Sequence, residues 1–142
     1  MLEKFSVKWG DFQESVISTF GSLRKSCDFA DVTLACEDGM QQVEAHKVIL
    51  AASSPFFQKL LQRNIHPHPI VFMRGVSAQE LEGNVDFLYY GEANVHQDSL
   101  DAFLELADQL QLKGLTDMYE ALAKSRNTDI SAFAKHEIKP EE

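Results

Sequence analysis

The stretch from Asp31 to Leu61, DVTLACEDGMQQVEAHKVILAASSPFFQKLL, restricts the fold more than any other part of this chain. Asp31-Val32-Thr33-Leu34-Ala35-Cys36 alternates in polarity, with Val32, Leu34 and Cys36 on one face, which predicts a short strand. Asp38-Gly39 then predicts a tight hairpin turn, because both residues tolerate the positive φ of a primed turn. Gln41 to Ala45 is the return strand. Lys47-Val48-Ile49-Leu50-Ala51-Ala52 is too apolar for a surface helix and predicts a buried one. Ser54 is placed to cap a further helix, and Pro55 suits its first position, where no backbone donor is needed. Phe56, Phe57, Leu60 and Leu61 give that helix an apolar face.

Asp31-Val32-Thr33-Leu34, followed by Ala45-His46-Lys47-Val48-Ile49-Leu50-Ala51-Ala52-Ser53-Ser54-Pro55-Phe56-Phe57, closely resembles the signature of BTB (POZ) domains. The resemblance implies an α+β fold in which a helical cluster is flanked by a short, mainly three-stranded sheet, with an extra N-terminal strand and helix. It also implies a self-associating protein-interaction module. His46, Ser54, Pro55, Phe56 and Phe57 are the motif core here, and Phe87-Leu88-Tyr89-Tyr90-Gly91 is a second landmark, which adds Tyr90 and Gly91. The likeness runs from about Phe5 to Lys124.

Phe5-Ser6-Val7-Lys8-Trp9 alternates apolar and polar residues and predicts a strand with no partner nearby. It resembles the F-x-L-R-W segment of insect Tramtrack-type BTB domains, which occur in transcription and chromatin regulators. Val7 stands for Leu and Lys8 for Arg, and Gly10-Asp11 replaces a common Asn pair. In that group the strand adds to a partner subunit's sheet, a case of β-augmentation, and goes with assemblies beyond the dimer. Phe5, Val7, Lys8 and Trp9 are therefore candidates for strand-mediated assembly. Asp11 and Glu14 form a capping-box pattern for the helix that follows, to about Lys25. Phe12, Val16, Phe20 and Leu23 make its apolar stripe, with Ile17 beside it. Taken alone, the stripe suits a surface helix packed on its own domain; the resemblance makes it the dimer interface.

Farther along, two prolines in Pro67-His68-Pro69 predict a loop. Ile70-Val71-Phe72-Met73 reads as a third strand, apolar throughout and hence buried. Ser77 caps a helix to about Tyr90, with Glu80 in capping-box position. Its interior Gly83 costs about 1 kcal/mol relative to Ala and marks a close helix contact. Ala93 to Val95 reads as another short strand and Gln97 to Gln109 as a helix with Leu100, Phe103, Leu104 and Ala107 inward. Gly114 is a turn before a last helix, Leu115 to about Lys124. The expected organisation is one domain over residues 1–126, with strand 5–9, dimerisation helix 11–25 and core 31–124. A flexible tail or linker follows at 127–142.

Composition narrows the function. A formal net charge of −9 argues against direct contact with nucleic acid. No signal-peptide pattern follows Met1, and no run approaches a membrane span of about 20 apolar residues. Cys27 and Cys36 are expected as free, partly buried thiols in a reducing compartment. His66 and His68 lack the neighbouring Cys or carboxylate set of a zinc site. Ser53-Ser54-Pro55 is not a nucleophile elbow, and there is no P-loop or dinucleotide fingerprint. No catalytic, metal or cofactor site is expected. Asp31 and Lys47 read alone as a solvated surface pair; the resemblance places them together in a charged pocket near the dimer interface, where loss of one partner harms folding more than loss of both.

The resemblance thus implies a nuclear transcription or chromatin regulator's interaction domain. It would form a homodimer, extending to a hexamer or other multimer, and pair with related BTB domains or transcriptional cofactors, without membrane contact. The alternative role of this fold is as a substrate adaptor for a cullin-type ubiquitin ligase.

Overall fold

A computed structural model describes residues 2–37 and 41–115. The sequence's central stretch folds as its pattern dictates. Strand β1 (Val32–Cys36) and strand β2 (Gln42–Ala45) pair antiparallel, with Val32 opposite Ala45 and Ala35 opposite Gln42. The Asp38-Gly39 turn lies outside the described residues. Two helices follow, α2 (Lys47–Ser53) and α3 (Pro55–Arg63). Strand β3 (Ile70–Met73) then returns parallel to β1, so the sheet order is β2-β1-β3. Helix α1 (Phe12–Ser26) precedes the sheet; α4 (Ala78–Tyr90), a short 3-10 turn (Gln97–Ser99) and α5 (Leu100–Gln109) complete the described elements.

Central placement explains why every residue of β1 is buried. Val32, Leu34 and Cys36 enter the core with Leu50, Phe57, Leu81, Val85 and Leu104. On its other face Thr33 meets the loop before β3, its hydroxyl 2.8 Å from His68 Nε2. Edge placement has the opposite effect on β3. That strand is not buried throughout: Met73 turns inward, while Ile70 and Phe72 are 68% and 59% exposed. An apolar run on an edge strand still alternates its faces, and only one face meets the core.

Local chemistry sets the helix ends. Ser54 Oγ accepts from Phe57 N–H at 3.1 Å and donates to the Leu110 carbonyl, joining the start of α3 to the end of α5. Ser77 Oγ accepts from Glu80 N–H at 3.2 Å. Gly91 ends α4 at φ +78, a left-handed conformation suited to glycine. A Cβ on Gly83 would lie 3.3 Å from the Phe103 ring, which is the expected close approach of α4 and α5.

Four local expectations are corrected. Asp11 makes no side-chain cap; Phe12 N–H bonds to the Trp9 carbonyl instead, and a turn opens α1. Phe5–Trp9 forms no strand, because a strand exists only by pairing and nothing among the described residues pairs with it. Ala93–Val95 is likewise not a strand. Helix α2 is only half buried in character: Ile49 and Leu50 are inside, but Val48 is 72% exposed. The expected last helix and the 127–142 tail lie outside the described residues.

Candidate self-association surface

Helix α1 meets the rest of the chain through α4. Gly21 is buried there, and the Tyr90 hydroxyl donates to its carbonyl at 3.4 Å. Arg24 pairs with Asp86 at 3.4 Å and lies 6.0 Å over the Tyr89 ring. Val16, Phe20 and Leu23 are half-buried on this side, and Phe20 packs against the core. Phe12 and Ile17 are not covered: each is 52% exposed. The predicted stripe is thus divided between the domain itself and solvent.

The uncovered part continues across neighbouring elements. A groove of about 370 Å³ runs between α1, α2 and α4, lined by Ile17, Phe20, Val48, Ala52, Leu88 and Tyr90. At the other end of α1, Trp9 stacks edge-to-face on Phe12 with centroids 5.2 Å apart. Phe5 and Val7 lie beyond it, almost fully exposed, with Lys8 between Val7 and Trp9 also exposed. Exposed aromatic and aliphatic groups from an arm, a helix and a groove are therefore gathered at α1, the kind of patch that marks an interaction site.

Asp31 and Lys47 do not form the expected charged pair. Asp31 Oδ1 accepts from the backbone N–H of Lys47 at 2.7 Å. It caps α2 from a distance, because His46 at the cap position offers no side-chain bond of its own to the helix. Lys47 Nζ reaches the other way and donates to the carbonyls of His66 and Pro67 at 2.8 and 3.3 Å. The acid has bonded to backbone and the base to a loop, so each is satisfied without the other.

The motif residues hold the frame of this surface. The Asp28 carbonyl, which can only accept, sits 2.7 Å from His46 Nε2, so that nitrogen carries the proton. Nδ1 is then the acceptor for the Tyr89 hydroxyl at 2.6 Å, while that same oxygen accepts from His46 N–H at 2.8 Å. His46 thereby ties the loop after α1 to α4. Burial holds the Tyr89 hydroxyl neutral, pushing its pKa up to about 12. Phe57 is fully buried beneath Ser54 and Pro55, with Phe56 packed on it edge-to-face at 5.3 Å. The sequence places Tyr89 in the second landmark but does not show its bonds to His46, and it does not single out Gly21; a glycine inside an amphipathic helix is the available signal for the latter.

Cys27 is exposed and Cys36 buried. Among the described residues no three His, Cys, Asp or Glu side chains gather as metal ligands, and no helix is long and apolar enough to cross a membrane.

Two solved structures share this fold: the BTB domain of zebrafish PATZ1 (TM-score 0.71, 20% identity, covering 86% of this chain and 99% of that one) and the BTB domain of human gigaxonin (TM-score 0.67, 20% identity, with the same coverage). A sequence model of the BTB/POZ domain family matches residues 20–127. The chain belongs to the BTB/POZ family, and as such is a protein-interaction module rather than an enzyme.

Within that family it is similar to three Drosophila melanogaster proteins. It is 45% identical over 115 residues to Longitudinals lacking protein-like, covering 81% of this chain and 89% of that protein. It is 45% identical to Protein abrupt over 82% of this chain, and 40% identical to Broad-complex core protein over 88% of it. The chain spans only 13% and 18% of those last two proteins.

Proposed function

We propose that this domain joins copies of itself through the exposed face of α1. Phe5–Trp9 acts as an arm that carries assembly beyond the dimer, in a nuclear regulator of transcription or chromatin. The observation that carries this reading is the half-exposure of Phe12 and Ile17 beside an apolar groove of about 370 Å³. A second copy's helix, with the same apolar groups, is the matching occupant of an isologous contact. Paired chains bring any attached DNA-binding parts together, and effective concentration raises avidity without new DNA contacts. Cofactor proteins would bind grooves completed by the pairing. Several relatives far exceed this chain in length, which fits such a division of labour.

The test is absolute mass by light scattering after size exclusion, for the native chain, for Phe20→Asp and for a chain lacking residues 1–10. Native mass above the dimer, a dimer without the arm, and a monomer or aggregate for Phe20→Asp are expected. A soluble, unchanged Phe20→Asp assembly sinks the helix interface. Stoichiometric capture of a purified cullin would replace the regulator reading with that of a ligase adaptor.

A further inference from the structure

Among the described residues the sheet has two open edges, and they are unlike. β2 shows solvent Gln42 and Glu44, so its edge is guarded by polarity and charge. β3 shows solvent Ile70 and Phe72 and has no charged residue between Ile70 and Met73. The Pro69 carbonyl accepts from Thr33 N–H at 3.0 Å, which fixes the phase of the parallel ladder. Backbone groups of Pro69, Val71 and Met73 turn toward β1, and those of Ile70 and Phe72 turn to the open edge.

We infer that β3 pairs antiparallel with β3 of a second copy, about a two-fold axis through Val71. This register rests on the strand's own sequence. It keeps each chain's core face on one side of a continuous sheet, as the period of two requires. It sets Ile70 opposite Phe72 of the second copy, and Phe72 opposite Ile70 of the second copy. Those are the residues whose N–H and C=O groups face the edge, so both pairs are hydrogen-bonded pairs, and Val71 meets its own counterpart in the non-bonded pair between them. The exposed apolar side chains then cover one another across the strands. The same operation on β2 would lack this apolar cover and add a glutamate on each side.

Four-residue strands bury far less than the 1,200–2,000 Å² of about the usual specific interface. The contact therefore joins dimers already held at α1, where two engagements per assembly raise its effective strength. Two different isologous two-folds in one chain produce closed dihedral assemblies or open arrays. This inference rests on the α1 reading for its strength, and not for its geometry.

The experiment is light scattering from micromolar to millimolar concentration on the native chain and Phe72→Glu, with Val71→Cys in a Cys27→Ser background oxidised and run on a non-reducing gel. Expected are native mass rising above the dimer with concentration, a lower mass for Phe72→Glu than for the native chain at each concentration, and a disulfide-linked pair from Val71→Cys. Large native assemblies unchanged by Phe72→Glu, or no linked pair, overturn the β3 contact while leaving the α1 dimer standing; a native dimer at every concentration does the same. If Phe20→Asp still gives a dimer that Val71→Cys links, β3 pairing stands and the α1 reading fails. A linked pair formed between Phe5–Trp9 and β3, seen with Val7→Cys and Val71→Cys together but not with Val71→Cys alone, would assign this edge to the arm instead.

Discussion

At Tyr89 one buried hydroxyl serves both the backbone N–H and Nδ1 of His46. Its folded pKa of about 12 lies above the ordinary 10.0, so the folded chain keeps a proton that the unfolded chain releases between those values. The tyrosine's contribution to stability is therefore constant below pH 10 and falls as pH rises toward 12, by at most about 2–3 kcal/mol. Chemical denaturation across pH 9–12 reads this slope. Tyr89→Phe should remove the tyrosine's share of it while losing about 1–3 kcal/mol at neutral pH, since it leaves the buried His46 N–H unpaired; an unchanged alkaline slope contradicts the assignment. Asp31 and Lys47 give a second test. Asp31→Ala should cost about 1 kcal/mol as a lost helix cap, and Lys47→Met less than that. The two should add within about 0.5 kcal/mol, because Lys47→Met keeps the backbone N–H from which Asp31 accepts and removes only the ammonium that bonds elsewhere. A large coupling in that double-mutant cycle would restore the charged pair the sequence suggests. Proximity of Asp31 to Lys47 was legible from the motif, but a backbone donor has no sequence signature, and Asp31 accepts from the N–H of Lys47 rather than from its ammonium group.

Elements whose causes are local were readable in advance. Ser54 and Pro55 announce α3, Ser77 announces α4, and Gly91 stops it at a left-handed φ, each within one turn of its effect. Effects from distant partners were not. Nothing around Ile70–Met73 tells which of its residues β1 will cover, so the apolar run reads as wholly buried while Ile70 and Phe72 face water. Phe5–Trp9 shows strand alternation, yet among the described residues no strand pairs with it. The docking of α1 is another such case: Tyr90 lies 69 positions from Gly21. A Cβ at Gly21 would stand 2.7 Å from the Tyr90 ring. Gly21→Ala should therefore destabilise by about 1–2 kcal/mol in urea, because overpacking outweighs the helix propensity gained. Gly21→Ala combined with Tyr90→Ala should recover the propensity gain relative to Tyr90→Ala alone. A stabilising single substitution would show that α1 stands farther from α4 than described.

On the scale of the whole molecule, charge and apolar surface oppose each other. Each copy carries a formal −9, so every association brings like charges together. Added salt shortens the screening length from about 10 Å at 0.1 M to about 3 Å at 1 M, and strengthens apolar burial little by comparison. Assembly mass at fixed protein concentration should thus grow between 0.05 and 0.5 M sodium chloride, followed by light scattering; a fall in mass would mean that ion pairs, not apolar faces, hold the copies together.

The parallel pairing of β1 with β3 also has a consequence in time. β1 and β2 are adjacent in the chain, but β3 follows only after α2 and α3. On a ribosome making about 5–20 residues per second, the hairpin emerges with one whole side of its central strand unpaired for about one and a half to six seconds. Throughout that interval Val32, Leu34 and the buried Cys36 are held in a two-stranded ribbon that is marginal on its own. The nascent domain is then most open to chaperones and to wrong strand partners, and the window closes when Ile70–Met73 docks.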